Sequence, residues 1–363
     1  MENSAESFSP YLSEKLREAK PYDPGLNTAR IHLDANESCM ELTDAMKKKI
    51  ADAMLELHFN RYPDALATEV CERFGLRYRV PPRFVTAGNG SDELLALLFG
   101  AVCSKGDKVL LTEPDFSMYR VYCKTYECEP VIVAKNSAFC FDPDELIETA
   151  NSERVRLILF SNPCNPTGQG IPREDVLRIV EKSNCLVAVD EAYMDFWDQS
   201  VLEAATAAPN LIVLRTASKI GFAAGRLGFA VANSQITDCL RAVKSPYNIN
   251  ALTQAAACVF FGEPGYLDGA VDAIRRSRDR LLRALRELEQ AHPKALRVYE
   301  THTNFVLCRV TDPAAVYEAL LAFGISVRHV AGCLRITAGT AEENRELVSK
   351  LGKILEAGEE LPE

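Results

Sequence analysis

The sequence predicts an α/β protein: a mostly parallel sheet covered by helices on both faces, followed by a smaller α+β unit. Three observations predict it. Short apolar runs alternate with longer helical patterns through most of the chain. Those runs are nearly continuously apolar, as in strands buried on both faces, rather than alternating apolar and polar. From about Tyr266 the pattern changes to one long amphipathic helix and a few shorter elements.

The elements follow in order. Segment 1–30 is polar and contains Pro21, Pro24 and Gly25, which reads as a short helix near residues 10–18 followed by an arm. Strands are expected at 108–112 (KVLLT), 130–133 (PVIV), 157–160 (LILF), 186–189 (LVAV), 211–214 (LIVL) and 229–232 (FAVA). Helical patterns lie between several of them, as at 92–102 and 173–182. A long charged helix fills 266–290, and a strand at 304–310, a helix at 314–322, a strand at 334–337 and a helix at 341–355 complete the chain. The expected division is an N-terminal arm at 1–30, a large domain at 31–262 and a small domain at 263–363.

Composition narrows the function. Of 363 residues, 47% are hydrophobic and 25% charged, which excludes a disordered or fibrous chain and allows a sizeable core. Lys+Arg 41 against Asp+Glu 51 leaves a net charge of −10, which argues against nucleic-acid and anionic-membrane partners. Small anionic ligands stay open, since they need only one local cation. No leader-like or membrane-spanning apolar run is read, so a cytoplasmic protein is expected. The twelve cysteines are scattered, with neither C-x-x-C pairs nor zinc spacing, so no metal is expected and the thiols read as small buried apolar groups.

Ligands of open parallel sheets bind beyond the carboxyl ends of the strands. Here those ends carry SNPCNPTG after 157–160, Asp190-Glu191-Ala192-Tyr193 after 186–189, and Arg215-Thr216-Ala217-Ser218-Lys219 after 211–214. Singly, Asp190 also reads as a turn carboxylate, Lys219 as a solvated amine, Asn165 as a turn former and Tyr193 as core. Their joint placement after successive strands points to one crevice. The stretch Gly88-Asn89-Gly90-Ser91-Asp92 leads into a helix whose first N–H groups can cradle a phosphate, and Arg226 can add a charged bond to it.

On these residues the chain resembles the fold-type I pyridoxal-phosphate aminotransferases and, within them, the histidinol-phosphate aminotransferases. The matching stretches are LDANES (33–38), NRYPD (60–64), GNGSDELL (88–95), PDFSMY (114–119), SNPCNPTG (161–168), VDEAYMDF (189–196), LRTASKIGFAAGRLGF (214–229), TNFVLCRV (303–310) and LRITAGTAEEN (334–344). The resemblance implies a seven-stranded sheet between helices and pyridoxal 5'-phosphate as cofactor. It implies Lys219 as the amine that bonds the cofactor aldehyde and moves protons, with Asp190 pairing the pyridinium nitrogen. Asn165 and Tyr193 would bond the ring's phenolic oxygen, and Phe116 would stack on the ring in preference to Tyr119. Gly90, Ser91, Asp92, Thr216, Ser218 and Arg226 would hold the phosphate. Tyr62 would reach the neighbouring subunit's cofactor, implying a homodimer. Arg335 would hold the substrate's anionic end, with Arg328, Tyr22, Asn36 and Asn304 as further contacts and His329 behind them.

The implied activity is transfer of an amino group from L-histidinol phosphate to 2-oxoglutarate in histidine biosynthesis. Threonine-phosphate decarboxylation and aromatic amino-acid transamination share the fold and stay open as alternatives. Two departures stand out. Arg328 and Arg335 are only seven apart, where the family usually has a longer loop, and Cys164 stands where the family often has Asn.

Overall fold

The computed structural model describes residues 11–17 and 28–359. Tyr22 and most of the arm lie outside the described residues. Among the described residues of the arm, the expected helix shows one 3-10 turn, Glu14–Leu16.

The chain then runs through β1 (Ile31–His32), α1 (Asp44–Leu55) and α2 (Thr68–Tyr78) to β2 (Val85–Asn89) and α3 (Gly90–Val102). Next come β3 (Lys108–Glu113), α4 (Met118–Thr125), β4 (Glu129–Ala134), α5 (Pro143–Ser152), β5 (Leu157–Ser161) and α6 (Arg173–Lys182). β6 (Leu186–Asp190), β7 (Leu211–Thr216) and β8 (Leu227–Ala232) complete the large sheet. It is followed by α7 (Ser234–Val243), α8 (Ala251–Phe261) and α9 (Pro264–Ala291). The last stretch holds β9 (Leu296–Val298), β10 (Phe305–Val310), α10 (Pro313–Ala322), β11 (Ile325–Ser326), β12 (Arg328–Val330), β13 (Cys333–Thr337) and α11 (Ala341–Glu359).

The large sheet has seven strands in the order β2-β8-β7-β6-β5-β3-β4. β8 runs antiparallel to both neighbours, and the β7-β6-β5-β3-β4 pairs are parallel. Alternate residues serve opposite faces. Leu110, Ile158, Val187 and Val213 enter one core with α2, α6 and α8 residues. Val109, Leu111, Leu159 and Ile212 enter the other with Leu94, Leu98 and Phe99 of α3. Both faces are therefore dry, which is why these strands read as unbroken apolar runs.

α9 joins this body to the C-terminal unit. Its Leu267, Val271 and Ile274 pack in the large core, and Leu281 and Leu285, further along the same stripe, pack in the small one. The spacing of three and four keeps that stripe on one face of a helix of 28 residues. The C-terminal unit is a four-stranded antiparallel sheet, β12-β13-β10-β9. Ile31 and Leu33 join its core because β1 pairs with β11, so a segment counted by sequence with the large domain is built into the small one. Among the described residues no helix is long and apolar enough to cross a membrane.

Candidate active site

The carboxyl ends of β3, β5, β6 and β7 stop at one level and open into a cleft of about 440 Å³. Register makes this happen: Ser161 is paired with Asp190, and Asp190 with Leu214. Of the expected site residues, the cleft is lined by Ser91, Asp92, Phe116, Asn165, Asp190, Tyr193, Thr216, Ser218, Lys219, Arg226, Asn36, Arg328 and Arg335.

Asp190 ends β6 and is only 4% exposed. One carboxylate oxygen accepts from Tyr119 Oη at 2.9 Å and the other from the Ala192 N–H at 3.1 Å. Both donors are neutral. Burial pushes the carboxyl up to about 7, against the two hydrogen bonds. An ionised carboxylate this deep calls for a cation, and among the described residues no ion pair to it is recorded.

Lys219 sits in the 3-10 turn Ser218–Ile220 that follows β7. Its ammonium lies 3.4 Å from the Ala35 carbonyl and 5.9 Å from the centre of the Tyr193 ring. The side chain is enclosed by protein yet opens onto the cleft. Burial, with Arg335 and Arg226 adding positive charge nearby, lowers its pKa to about 8. A lysine so placed is partly the free amine at neutral pH, the form that attacks a carbonyl or takes a proton.

The first turn of α3 is the anion cup. Its N-cap, Asn89, makes no side-chain cap, so helix-start N–H groups are left for another acceptor where Ser91 and Asp92 line the cleft. Gly90 has φ +74° and a Cβ there would stand 3.0 Å from the Arg226 guanidinium. A Cβ on Gly228 would lie 2.5 Å from the Gly90 carbonyl carbon. Both glycines let backbone and arginine close in on the same point. Arg226 Nη2 is 3.2 Å from Asp92, and Thr216 donates to Ser218 at 3.0 Å beside it.

Tyr193 is buried, and its hydroxyl accepts from Asn36 Nδ2 at 2.8 Å. Burial raises the phenol to about 12. Asn165 follows β5, and its Oδ1 accepts from Arg335 at 2.6 Å. Arg335 also donates to the Asp34 carbonyl at 2.5 Å. Arg335 sits on β13, in register with Arg328 on β12. The connecting turn is Ala331-Gly332, both with positive φ, the tight two-residue turn of an antiparallel hairpin. This explains the short spacing of the two arginines.

Four expected contacts differ from or add to the sequence reading. Asn304 does not line the cleft: its side-chain N–H groups are spent on the carbonyls of Asn36 and Glu37, so it positions that segment. Asn36 is tied to Tyr193 and Thr337, so its amide is already engaged. Tyr62 is 81% exposed, stacked on Tyr247 and outside the cleft of its own chain. His329 likewise does not line the cleft. Sequence reasoning missed Tyr119 as the donor to Asp190, because the bond spans 71 residues. It also missed Asp115 and Ser161, which line the cleft, and Lys135, which is bonded to Asp115 behind them.

The arrangement joins a weakly basic amine, a buried carboxylate that calls for a cation, and an anion cup in one cleft. Residues 28–351 match the family model for aminotransferase class I and II. The chain belongs to this aminotransferase family. Its relatives include a histidinol-phosphate aminotransferase from Clostridium novyi, 37% identical over 92% of this chain and 94% of that protein. Among solved structures, the class I/II aminotransferase fold described here is shared with the histidinol-phosphate aminotransferase of Sinorhizobium meliloti in complex with pyridoxal-5'-phosphate. The TM-score is 0.86, with 21% identity over 97% of this chain and 99% of that one. It is shared also with an L-threonine-O-3-phosphate decarboxylase from Porphyromonas gingivalis, at a TM-score of 0.77 and 20% identity over 90% of this chain and 99% of that one. The aminotransferase therefore has a fold that hosts more than one reaction, and the site must argue its own chemistry.

Proposed function

We propose that this chain is a pyridoxal-phosphate-dependent transaminase that moves an amino group from L-histidinol phosphate to 2-oxoglutarate. The observation that carries the reading is Asp190: a buried carboxylate met only by neutral donors, in the same cleft as an amine of lowered basicity. A protonated pyridine nitrogen is the cation such a carboxylate lacks, and the glycine-lined cup with Arg226 suits the phosphate. The residues therefore fit pyridoxal phosphate. When bound, it supplies an aldehyde and an electron-withdrawing ring that spreads negative charge from a substrate carbon.

The chain's own residues do the rest. Asp190 holds the ring nitrogen protonated, and Tyr119 keeps Asp190 aimed. Asn165 and Tyr193 would bond the ring oxygen, and Phe116 would cover one ring face. The backbone N–H groups of Ser91 and Asp92, with Thr216, Ser218 and Arg226, would hold the phosphate. Lys219 Nζ would take the proton from the substrate's Cα, which a free amine can do, and would hold it as the ammonium. Arg335 grips the substrate's anionic end; a planar guanidinium suits a phosphomonoester and a carboxylate alike, so one site serves both partners. Arg328, its cross-strand neighbour at the mouth, adds charge for the same end.

Tyr62, through its exposure, supports a homodimer. It stands out from its own chain with Leu55, Phe59 and Leu66, all exposed and apolar, within one short stretch. A surface of that kind suits a second copy, and Tyr62 then enters the other copy's cup. A cytoplasmic location fits twelve cysteines that are all free thiols.

The test is direct. Purified protein loaded with pyridoxal phosphate is given histidinol phosphate and 2-oxoglutarate, and glutamate is measured. Glutamate formation carries the proposal. Carbon dioxide release from threonine phosphate, without glutamate formation in the first assay, overturns it.

A further inference from the structure

The wall of the cleft holds a charged cluster that the mechanism above does not use. Asp115 lies just after β3, and Lys135 just after β4. Their side chains are each 2% exposed and lie 3.2 Å apart. Asp115 is a hub. One oxygen accepts from the Phe116 N–H at 2.8 Å and from the Ser161 hydroxyl. The other accepts from the Thr112 hydroxyl at 2.8 Å, the Ser161 N–H at 3.3 Å and Lys135 Nζ. The Ser161 hydroxyl in turn accepts from the Asn165 N–H at 3.2 Å. Lys135 also donates to the Pro114 carbonyl at 2.9 Å and lies 3.0 Å from the Cys164 sulfur.

One carboxylate thus ties together the ends of β3, β4 and β5. Two of the tied residues, Phe116 and Asn165, are those assigned to the cofactor's ring. Tyr119 is carried on the same turn, its N–H bonded to the Phe116 carbonyl at 3.1 Å. A loop residue reaches only the precision its support allows, and here the support is ionic and buried. Such a pair is a weak source of net stability, because desolvating both charges offsets their attraction. Its value lies in fixing geometry.

We propose that Asp115 and Lys135 are positioning residues: a buried ionic clamp that sets the seat of the cofactor ring by fixing Phe116 and Asn165. The clamp explains why a lysine is enclosed beside Cys164, one residue from Asn165. It rests on the reading that this cleft holds pyridoxal phosphate.

The experiment uses full-length protein in three variants: Asp115→Asn, Lys135→Met and the two combined. Each is melted, titrated with pyridoxal phosphate after removal of the cofactor, and assayed for kcat and KM. The visible circular-dichroism band of the bound cofactor reports the seat of the ring. The combined variant leaves no unpaired buried charge, so it decides the matter if either single variant fails to fold. The expected result is cooperative melting of the combined variant, with cofactor affinity and kcat each lower by about tenfold. KM for both substrates stays within about twofold and the dichroic band shrinks. Parental cofactor affinity, kcat and dichroism in the combined variant would overturn the clamp alone. Failure of the parent protein to bind pyridoxal phosphate would overturn the clamp together with the reading beneath it.

Discussion

Asp190 and Glu191 are consecutive residues at the end of β6, and they belong to two regions with opposite electrostatics. Both are buried, Asp190 at 4% and Glu191 at 0% exposure. Burial pushes both carboxyls up. Glu191 points away from the cleft into a region that supplies its own cation: Arg215 lies 3.1 Å away, with Ser200 and the Val201 N–H each donating at 2.7 Å. Arg215 also meets Asp195 at 3.2 Å and lies over the Tyr78 ring. Asp190 points into the cleft and finds only a phenol and an amide. The same group at the same depth is thus paired from within the chain on one face and left for a ligand to pair on the other. A buried charge closed by its own protein serves the fold; one left open serves a site.

The largest effect expected from breaking the open side falls on Lys219. Lys219→Ala removes the amine and leaves the ionic region behind the sheet untouched. Turnover should fall by about 10³-fold or more while the melting transition stays cooperative. Retained turnover would remove Lys219 from the chemistry and with it the claim that the cleft side is the working side.

The neighbouring carboxylates give the sharpest contrast. In cofactor-free protein, Glu191→Gln removes one of the two carboxylates that balance Arg215 and should cost about 3 kcal/mol in denaturant unfolding. Asp190→Asn removes a carboxylate that had no cation to balance, so stability should hold or rise. With cofactor present the order reverses for function: Asp190→Asn lowers turnover by about 10²-fold or more, and Glu191→Gln acts mainly through stability. Equal destabilisation by the two variants in cofactor-free protein would dissolve the distinction.

Titration refines the same point. Asp190 has its carboxyl pushed from 3.8 up to about 7. The folded state therefore holds a proton that the unfolded state has already released. Stability contributed by this group is full below about pH 4 and is lost as pH rises toward 7. The steepest slope is about −1.4 kcal/mol per pH unit. Lys219 works in the other direction and in another window. Its pKa falls from 10.5 to about 8, so the unfolded state binds the extra proton and stability rises across that interval. Difference curves against Asp190→Asn and Lys219→Met, measured without cofactor, isolate each slope. A flat difference for Asp190→Asn between pH 4 and 7 would mean the carboxylate has found a cation.

Much of this was legible in the sequence, for a physical reason. Strands covered on both faces must be apolar throughout, so 157–160, 186–189 and 211–214 stand out, and the polar residues just after them mark the ligand edge. β2 did not stand out. Its VTAGN is held by close backbone approach, with Gly88 set opposite Gly228, and small residues leave little apolar signal. Asp190 and Lys219 stand out by closing or following a strand, and Arg226 by lying seven residues after Lys219. Tyr119, Asp115 and Lys135 do not, because their roles exist only through bonds to residues far along the chain. Asn304 was legible as a polar residue opening a strand, and its direction was not: whether its amide faces the cleft or the backbone of 36–37 is decided by how β10 and β13 pair.

Tyr62 extends the contrast beyond one chain and gives the smallest effect. Its ring is held by Tyr247, with ring centres 4.6 Å apart and nearly parallel, and its hydroxyl is offered outward. On the proposed dimer its partner, like that of Asp190, would lie outside its own chain; unlike Asp190, it is solvated, so leaving it alone costs little. Tyr62→Phe keeps the ring and its stacking and deletes only the hydroxyl. Monomer stability should be unchanged, and cofactor affinity should weaken by about three- to tenfold, the net worth of one solvent-accessible hydrogen bond. Mixing ties that loss to the second copy. A hybrid of one Lys219→Ala chain and one Tyr62→Phe chain contains one intact lysine site, and which tyrosine serves it depends on crossing over. If Tyr62 crosses, that active site is served by the Lys219→Ala chain's tyrosine and keeps parental affinity; if Tyr62 serves its own chain, the same site shows the weakened value.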